Sequence, residues 1–361
     1  MTRPPVSLPV DHWPEIDRER WLAAQVLAGF LEPDKPASHW SPARRGSIVE
    51  PAYGRWLAFL DRNGALDPSC TPGERATEPR LRAFVAELQA QVAPVSACMM
   101  VGALLRMLVV LEPGRDWTFL GQVYRHLKRT AAPSRDKLSR MVPAADLFEL
   151  GIHLMETWAD DRPQRVYKAT RYRDGLIIAL LIACPIRVKN LAALVIGQHL
   201  VLDGEDYRLT LAAPETKTGR PYVASVPQVL TTYINQWLDR FYVQLIARAG
   251  DEVSSAGNHL WIDRWGKPMS SKAIRRQIWL RTRQAFGRGI CPHLFRDCAV
   301  TELVDCAPEE IGLAPDLLGH ADLRTTRKHY IQARGMTAHV RVQEMIASRR
   351  HAAAFRRTQG A

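Results

Sequence analysis

Apolar positions in the first third of the chain recur with helical spacing. Glu15 to Leu31 makes one amphipathic candidate, ended by the break Pro33-Asp-Lys-Pro36. Residues 1–48 are too short to build a core of their own and read as an N-terminal extension. After Pro51, Tyr53, Trp56, Leu57 and Leu60 share a helix face. Pro79 opens a second helix with Leu81, Phe84, Val85 and Leu88, and Pro94 to Leu111 and Trp117 to Leu127 add two more. Residues 49–130 are therefore expected to form a small all-α domain. The stretch Thr130-Ala-Ala-Pro-Ser-Arg-Asp-Lys137 lacks apolar periodicity and contains a helix-breaking proline, so residues 131–142 read as a basic linker.

A second domain is expected over residues 143–361. Ala144 to Trp158 and Tyr172 to Leu194 have helical patterns. The run Leu176 to Ala183 is apolar on every side, which places it deep in a core, and Pro185 interrupts the pattern after it. Short strands are predicted at His199 to Leu202, Tyr207 to Leu211 and Tyr222 to Val226. The turn Asp203-Gly-Glu-Asp206 and the basic tip Lys217-Thr-Gly-Arg220 join them into a small antiparallel sheet. The chain is again mainly helical from Pro227 to a basic helix at Thr337 to Arg357. The expected fold is mainly α with a small antiparallel β-sheet.

Composition narrows the class. At 361 residues and 47% apolar, the chain is long enough for two cores and too apolar for intrinsic disorder. Apolar stretches such as Leu176 to Ala183 stop short of the roughly 18 residues that span a bilayer, and the N-terminus lacks a signal peptide's apolar centre. A cytoplasmic protein is expected. The six cysteines (Cys70, Cys98, Cys184, Cys291, Cys298, Cys306) include no CxxC pair, so neither a zinc site nor a disulfide framework is indicated.

Charge narrows it further. The excess of 49 Lys+Arg over 37 Asp+Glu gives a net +12, which admits any polyanion as partner, but its distribution is uneven. Arg264 to Arg288 holds eight basic and no acidic residues, with Lys272, Arg275 and Arg276 at its centre. A second cluster comprises Arg125, Lys128, Arg129, Arg135, Lys137 and Arg140 against the single Asp136. Trp117, Tyr124, Trp265 and Trp279 lie in or near the two clusters. Separated basic clusters with interleaved aromatics point to nucleic acid, and these nine cations are the candidate DNA contacts.

Three segments carry the candidate chemistry: Ala183-Cys-Pro-Ile-Arg-Val-Lys-Asn-Leu191, Pro292-His-Leu-Phe-Arg-Asp297 and Leu317-Leu-Gly-His-Ala-Asp-Leu-Arg-Thr-Thr-Arg-Lys-His-Tyr330. In order and spacing, Arg187, Lys217, His293, Arg296, His320 and Tyr330 resemble the signature of the tyrosine recombinases, or phage integrases. The resemblance is strong from about residue 140 to 345 and extends to residues 50–130 only in layout and aromatic positions. It implies a helical core-binding domain and an α+β catalytic domain that clamp duplex DNA like a letter C. It also implies strand cleavage through a 3′-phosphotyrosyl intermediate. In that reading Tyr330 is the nucleophile, Arg187, Arg296 and His320 stabilise the phosphate, Lys217 protonates the departing 5′ oxygen, and His293 takes the tyrosine proton.

Attack on a phosphodiester adds charge to oxygens that are already anionic, so fixed cationic donors are needed where that charge develops. Guanidiniums supply them permanently and in a fork. A tyrosine of ordinary pKa near 10 needs a proton acceptor or a cationic field to attack at neutral pH. A phosphotyrosyl link conserves the bond's energy, so no cofactor or metal is expected, and the sequence has no GxxxxGK[ST], HExxH or EF-hand pattern. Two positions depart from the family: Pro185 stands where a glycine is common, and Asn190 where an acidic residue is common. Asn190 brings no counter-charge to Arg187. Phe295 for leucine is a packing change.

By resemblance, four protomers, monomeric when free, act on paired DNA sites, with the Thr337 to Arg357 helix packing on a neighbour or on its own domain. The 48 leading residues leave little room for an arm-binding domain, which favours a simple recombinase of a mobile element. Two other readings remain open at this point: a type IB topoisomerase relaxing supercoils, and a catalytically inactive architectural DNA-binding protein.

Overall fold

A computed structural model describes residues 5–27, 35–132, 138–157, 165–248, 257–306 and 312–318. The chain divides into two compact units, Met1–Asp136 and Lys137–Ala361. The first is helical: α1 (Glu15–Ala23), α2 (Pro42–Arg44), α3 (Glu50–Arg62), α4 (Pro72–Arg75), α5 (Glu78–Gln91), α6 (Pro94–Leu111) and α7 (Thr118–Thr130). Its core is aromatic, with Trp56 stacked on Phe59 at 5.7 Å and edge-on to Phe84 at 5.3 Å. At 18 residues, α6 is long and apolar enough to cross a membrane by composition, longer than the expected limit on apolar stretches; Val101, Leu104, Met107 and Leu108 bury it in this core. On α7 only Leu120 and Leu127 are buried, leaving Arg125, Lys128 and Arg129 exposed.

Residues 1–48 supply part of that core. Trp13 and Trp21 are buried, and α1 carries Asp17, which accepts a 2.7 Å hydrogen bond from Tyr53 and forms an ion pair with Arg75 in a fully buried setting. Arg75 also donates to the Asp67 and Cys70 carbonyls, so its charge is enclosed by acceptors. Gly54 permits the N-terminal segment to lie against α3, because a Cβ there would stand 2.1 Å from the Leu8 carbonyl oxygen.

The second unit contains α8 (Ala144–Glu156), α9 (Arg165–Ala183), α10 (Val188–Ala192), a sheet, α11 (Val229–Gln236), a π turn (Trp237–Tyr242), α12 (Val243–Ile246), α13 (Ser271–Phe286), α14 (Pro292–Cys306) and α15 (Ala314–Leu318). The sheet has strands β1 (Leu200–Asp203), β2 (Asp206–Leu211) and β3 (Tyr222–Ser225), antiparallel in the order β1-β2-β3. Leu200 faces Leu209 and Leu211 faces Tyr222, so the alternation read from the sequence places one face of the sheet inward. In α9, Leu176 to Leu181 are at most 1% exposed, and the core closes around them with Trp237, Phe241, Trp261 and Phe295.

Of the expected linker, residues 133–137 lie outside the described residues, and the remainder is anchored. Leu138–Arg140 makes a single 3₁₀ turn. Arg288 donates to the Ser139 and Met141 carbonyls at 2.8 and 3.1 Å, and Arg140 donates to the Gly289 carbonyl at 3.2 Å. These bonds hold the entry to α8 against the α13–α14 connection.

Candidate active site

The site begins at the helix break. Cys184 and Pro185 end α9, and the chain resumes as α10 with Arg187 in the N-cap position, extended at φ −71° and ψ 143°. That kink turns the Arg187 side chain into a cleft, where it meets Arg296 from the second turn of α14. Arg296 is 4% exposed, and its guanidinium donates to the carbonyls of Pro185 and Leu318. Burial first, and the Arg187 charge second, bring its pKa down to about 10; burial also lowers that of Arg187. Both stay cationic at neutral pH. Two guanidiniums this close are unfavourable alone and become favourable with an anion between them.

The cleft's other wall is the connection from β2 to β3, and Asn190, Thr218, Arg220 and Tyr222 are among the residues that line it. Tyr222 is buried, which pushes its phenol up and keeps it neutral. Lys217 sits at the exposed tip of this connection, where Gly219 takes φ +67° and Thr216 Oγ1 lies 2.7 Å from the Arg220 carbonyl. The turn is anchored from below. Asn190 Nδ2 donates to the Glu215 carbonyl at 3.0 Å, and His199 Nε2 meets Glu215 Oε1 at 2.7 Å. Sequence reasoning missed His199, Glu215, Thr218 and Tyr222 as parts of the site, since no local pattern marks them.

His293 is exposed on the first turn of α14, three residues before Arg296 and so on neighbouring helix surface. His320 and Tyr330 lie outside the described residues, as do Arg135 and Lys137 and the helix expected over Thr337 to Arg357. Lys272, Arg275 and Arg276 are exposed on α13, whose opposite face buries Ile274 and Ile278; Arg140 is half-buried. Elsewhere on α13, Arg281 turns inward to Asp174 at 2.9 Å, where Asp174 also pairs with Arg173. Among the described residues no group of three or more His, Cys, Asp or Glu could hold a metal ion.

The chain resembles known proteins in sequence over part of its length and in fold over most of it. A "Tyrosine recombinase" of Agathobacter rectalis is 27% identical over 163 residues, covering 44% of this chain and 48% of that protein. "Tyrosine recombinase XerC" of Pseudomonas entomophila is 24% identical over 213 residues, covering 57% of this chain and 64% of that one. The chain thus spans between about half and two thirds of the length of these relatives. The fold is shared with the XerH site-specific recombinase in its pre-cleavage complex with difH, at a TM-score of 0.57 and 13% identity over 90% of this chain and 96% of that one. The post-cleavage complex with palindromic difH gives 0.58 over 92% and 98%. The profile of the phage integrase family matches residues 154–335, a span that includes the cleft and all six signature positions, and the chain belongs to that family.

Proposed function

We propose that this protein is a site-specific DNA recombinase that cuts and rejoins strands through a 3′-phosphotyrosyl intermediate on Tyr330. The observation that carries the reading is the meeting of Arg187 and Arg296 in one cleft walled by the connection that bears Lys217. A phosphodiester bound between the guanidiniums offsets their repulsion, and the offset grows as the phosphorus gains a fifth oxygen and further charge. The Tyr330 oxygen bonds to phosphorus, its proton passing to His293, while the bond to the 5′ oxygen breaks and that oxygen takes a proton from Lys217. His320 adds a donor to a nonbridging oxygen. Attack by another strand's 5′ hydroxyl reverses each step, and the tyrosine leaves. Exposed Lys272, Arg275 and Arg276, with Arg125, Lys128 and Arg129 of the first unit, hold the DNA backbone, together with Arg135, Lys137 and Arg140.

Four protomers on two paired sites, serving the integration or excision of a mobile element in the cytoplasm, complete the proposal. The difH substrate bound in both XerH complexes supports the substrate class. The test is covalent capture on nicked duplexes made from DNA flanking the protein's own gene. The parent is expected to form an adduct, and Tyr330→Phe to bind the same DNA without one. An adduct that survives the substitution would remove Tyr330 as nucleophile, and relaxation of a plasmid without any specific site would favour a topoisomerase instead.

A further inference from the structure

Beneath the Lys217 turn, the side chains of His199 and Asn190 meet at Glu215. His199 is 6% exposed. Its Nδ1 accepts the Val195 N–H at 2.9 Å, so Nε2 carries the ring hydrogen and donates it to Glu215 Oε1 at 2.7 Å. The second carboxylate oxygen, Oε2, accepts the Ala212 N–H at 2.7 Å. The Glu215 main-chain carbonyl accepts the Asn190 amide at 3.0 Å. Glu215 is therefore held at three oxygens, by its own turn and by two other segments, two residues before Lys217. His199 is itself pinned, since its carbonyl accepts the Thr210 N–H of β2 at 2.8 Å.

We infer that His199, Glu215 and Asn190 are positioning residues that fix the stem of the Lys217 turn relative to Arg187, and so aim the lysine at the departing oxygen. The inference rests on the reading of Lys217 as proton donor. Its geometric support is the identity of the two ends that the network joins. Asn190 stands three residues after Arg187 on the helix that Arg187 caps, and Glu215 stands at the foot of the turn that carries Lys217. A donor is required at position 190, because a carboxylate there could not give a hydrogen bond to a carbonyl. Glu215 also holds its charge readily: the Ala212 N–H first, then His199, keep its carboxyl below the usual range. The stem is thus fixed while the tip stays exposed, which suits a group that must approach DNA from outside and still arrive in line with one oxygen.

The test compares single-turnover cleavage of the captured duplex with that of the same duplex bearing sulfur in place of the bridging 5′ oxygen. In the first, the P–O bond breaks and the oxygen takes a proton; in the second, the P–S bond breaks and the sulfur leaves as a thiolate without one. Lys217→Ala is expected to be slow on oxygen and near the parental rate on sulfur. Glu215→Ala and Asn190→Ala should repeat that pattern with a loss of roughly tenfold on oxygen, below the ~10²–10⁴ of a removed general acid. Glu215→Gln, which has a single side-chain acceptor oxygen, should fall between Glu215→Ala and the parent. Equal slowing of both substrates by Glu215→Ala and Asn190→Ala, or no slowing, overturns the inference. Failure of sulfur to restore Lys217→Ala overturns instead the assignment of the proton donor, and this inference with it.

Discussion

Replacing Arg296 with methionine separates the phosphate-binding role proposed for the side chain from what it does for the fold. Truncating a side chain that is 4% exposed ordinarily costs about 2–5 kcal/mol. Here the contributions oppose one another. Losing the donations to the Pro185 and Leu318 carbonyls removes about 1–3 kcal/mol each. Against this stands the unfavourable charge. Burial and Arg187 bring Arg296 down to about 10, a loss of roughly 2.5 powers of ten in proton affinity, or ~3 kcal/mol at about 1.36 kcal/mol each. Methionine carries none of that charge, and its flexible thioether refills most of the stem's volume. Arg296→Met is therefore expected to melt within about 5 °C of the parent, since ~1 kcal/mol moves a domain of 150–250 residues by ~2–4 °C. Covalent adduct formation should fall at least ~10²-fold, the scale of one lost preorganised donor. Calorimetry on the intact chain reads the first quantity and trapping on nicked DNA the second. A drop in Tm beyond about 10 °C would refute the cancellation and make Arg296 a structural cross-link, while adduct formation at the parental rate would remove it from the site.

Three further outcomes are expected. Replacing Lys272, Arg275 and Arg276 together with alanine should flatten the salt dependence of DNA binding by about 2–3 in log–log slope, at ~0.9 per phosphate contact; an unchanged slope in fluorescence anisotropy would remove this face of α13 from the interface. Asp17→Asn leaves Arg75 charged and unpaired among buried groups and should destabilise the first unit by about 3–5 kcal/mol in urea unfolding, whereas Asp17→Leu with Arg75→Met should recover most of it. A single substitution without measurable cost would show that the pair is hydrated. Gly54→Ala puts a methyl into the Leu8 carbonyl and should expose residues 5–13 to limited proteolysis, and a parental digestion pattern would contradict the close approach.

The legibility of each feature in the sequence depends on the range of the interaction behind it. Pro185 announced the end of α9 because a proline removes an N–H at its own position, and the sheet's alternation reported its buried face residue by residue. The role of Pro185 as acceptor for Arg296 left no such mark, since that bond joins positions 111 residues apart. Asn190 looked like a lost counter-charge, and the structure gives it a different task, donation to Glu215. Residues 1–48 looked too short for a core because their buried groups, among the described residues Trp13, Pro14, Asp17, Trp21, Ala24 and Ala37, are few and mixed with prolines. The ion pair of Asp17 with Arg75 also runs against the rule that buried faces are apolar.

The bonds from Arg296 to Pro185 and Leu318 bear on when the protein acquires its chemistry during synthesis. They join segments made 111 residues before and 22 residues after the arginine itself, and Tyr330 is made later still. A ribosome that has just completed α9 and the sheet has released Arg187 and Arg220 of the cleft but not Arg296. Contacts of such sequence separation form late. On the function proposed above, the capacity to break a DNA strand is thus withheld from every partial product that ends before Tyr330.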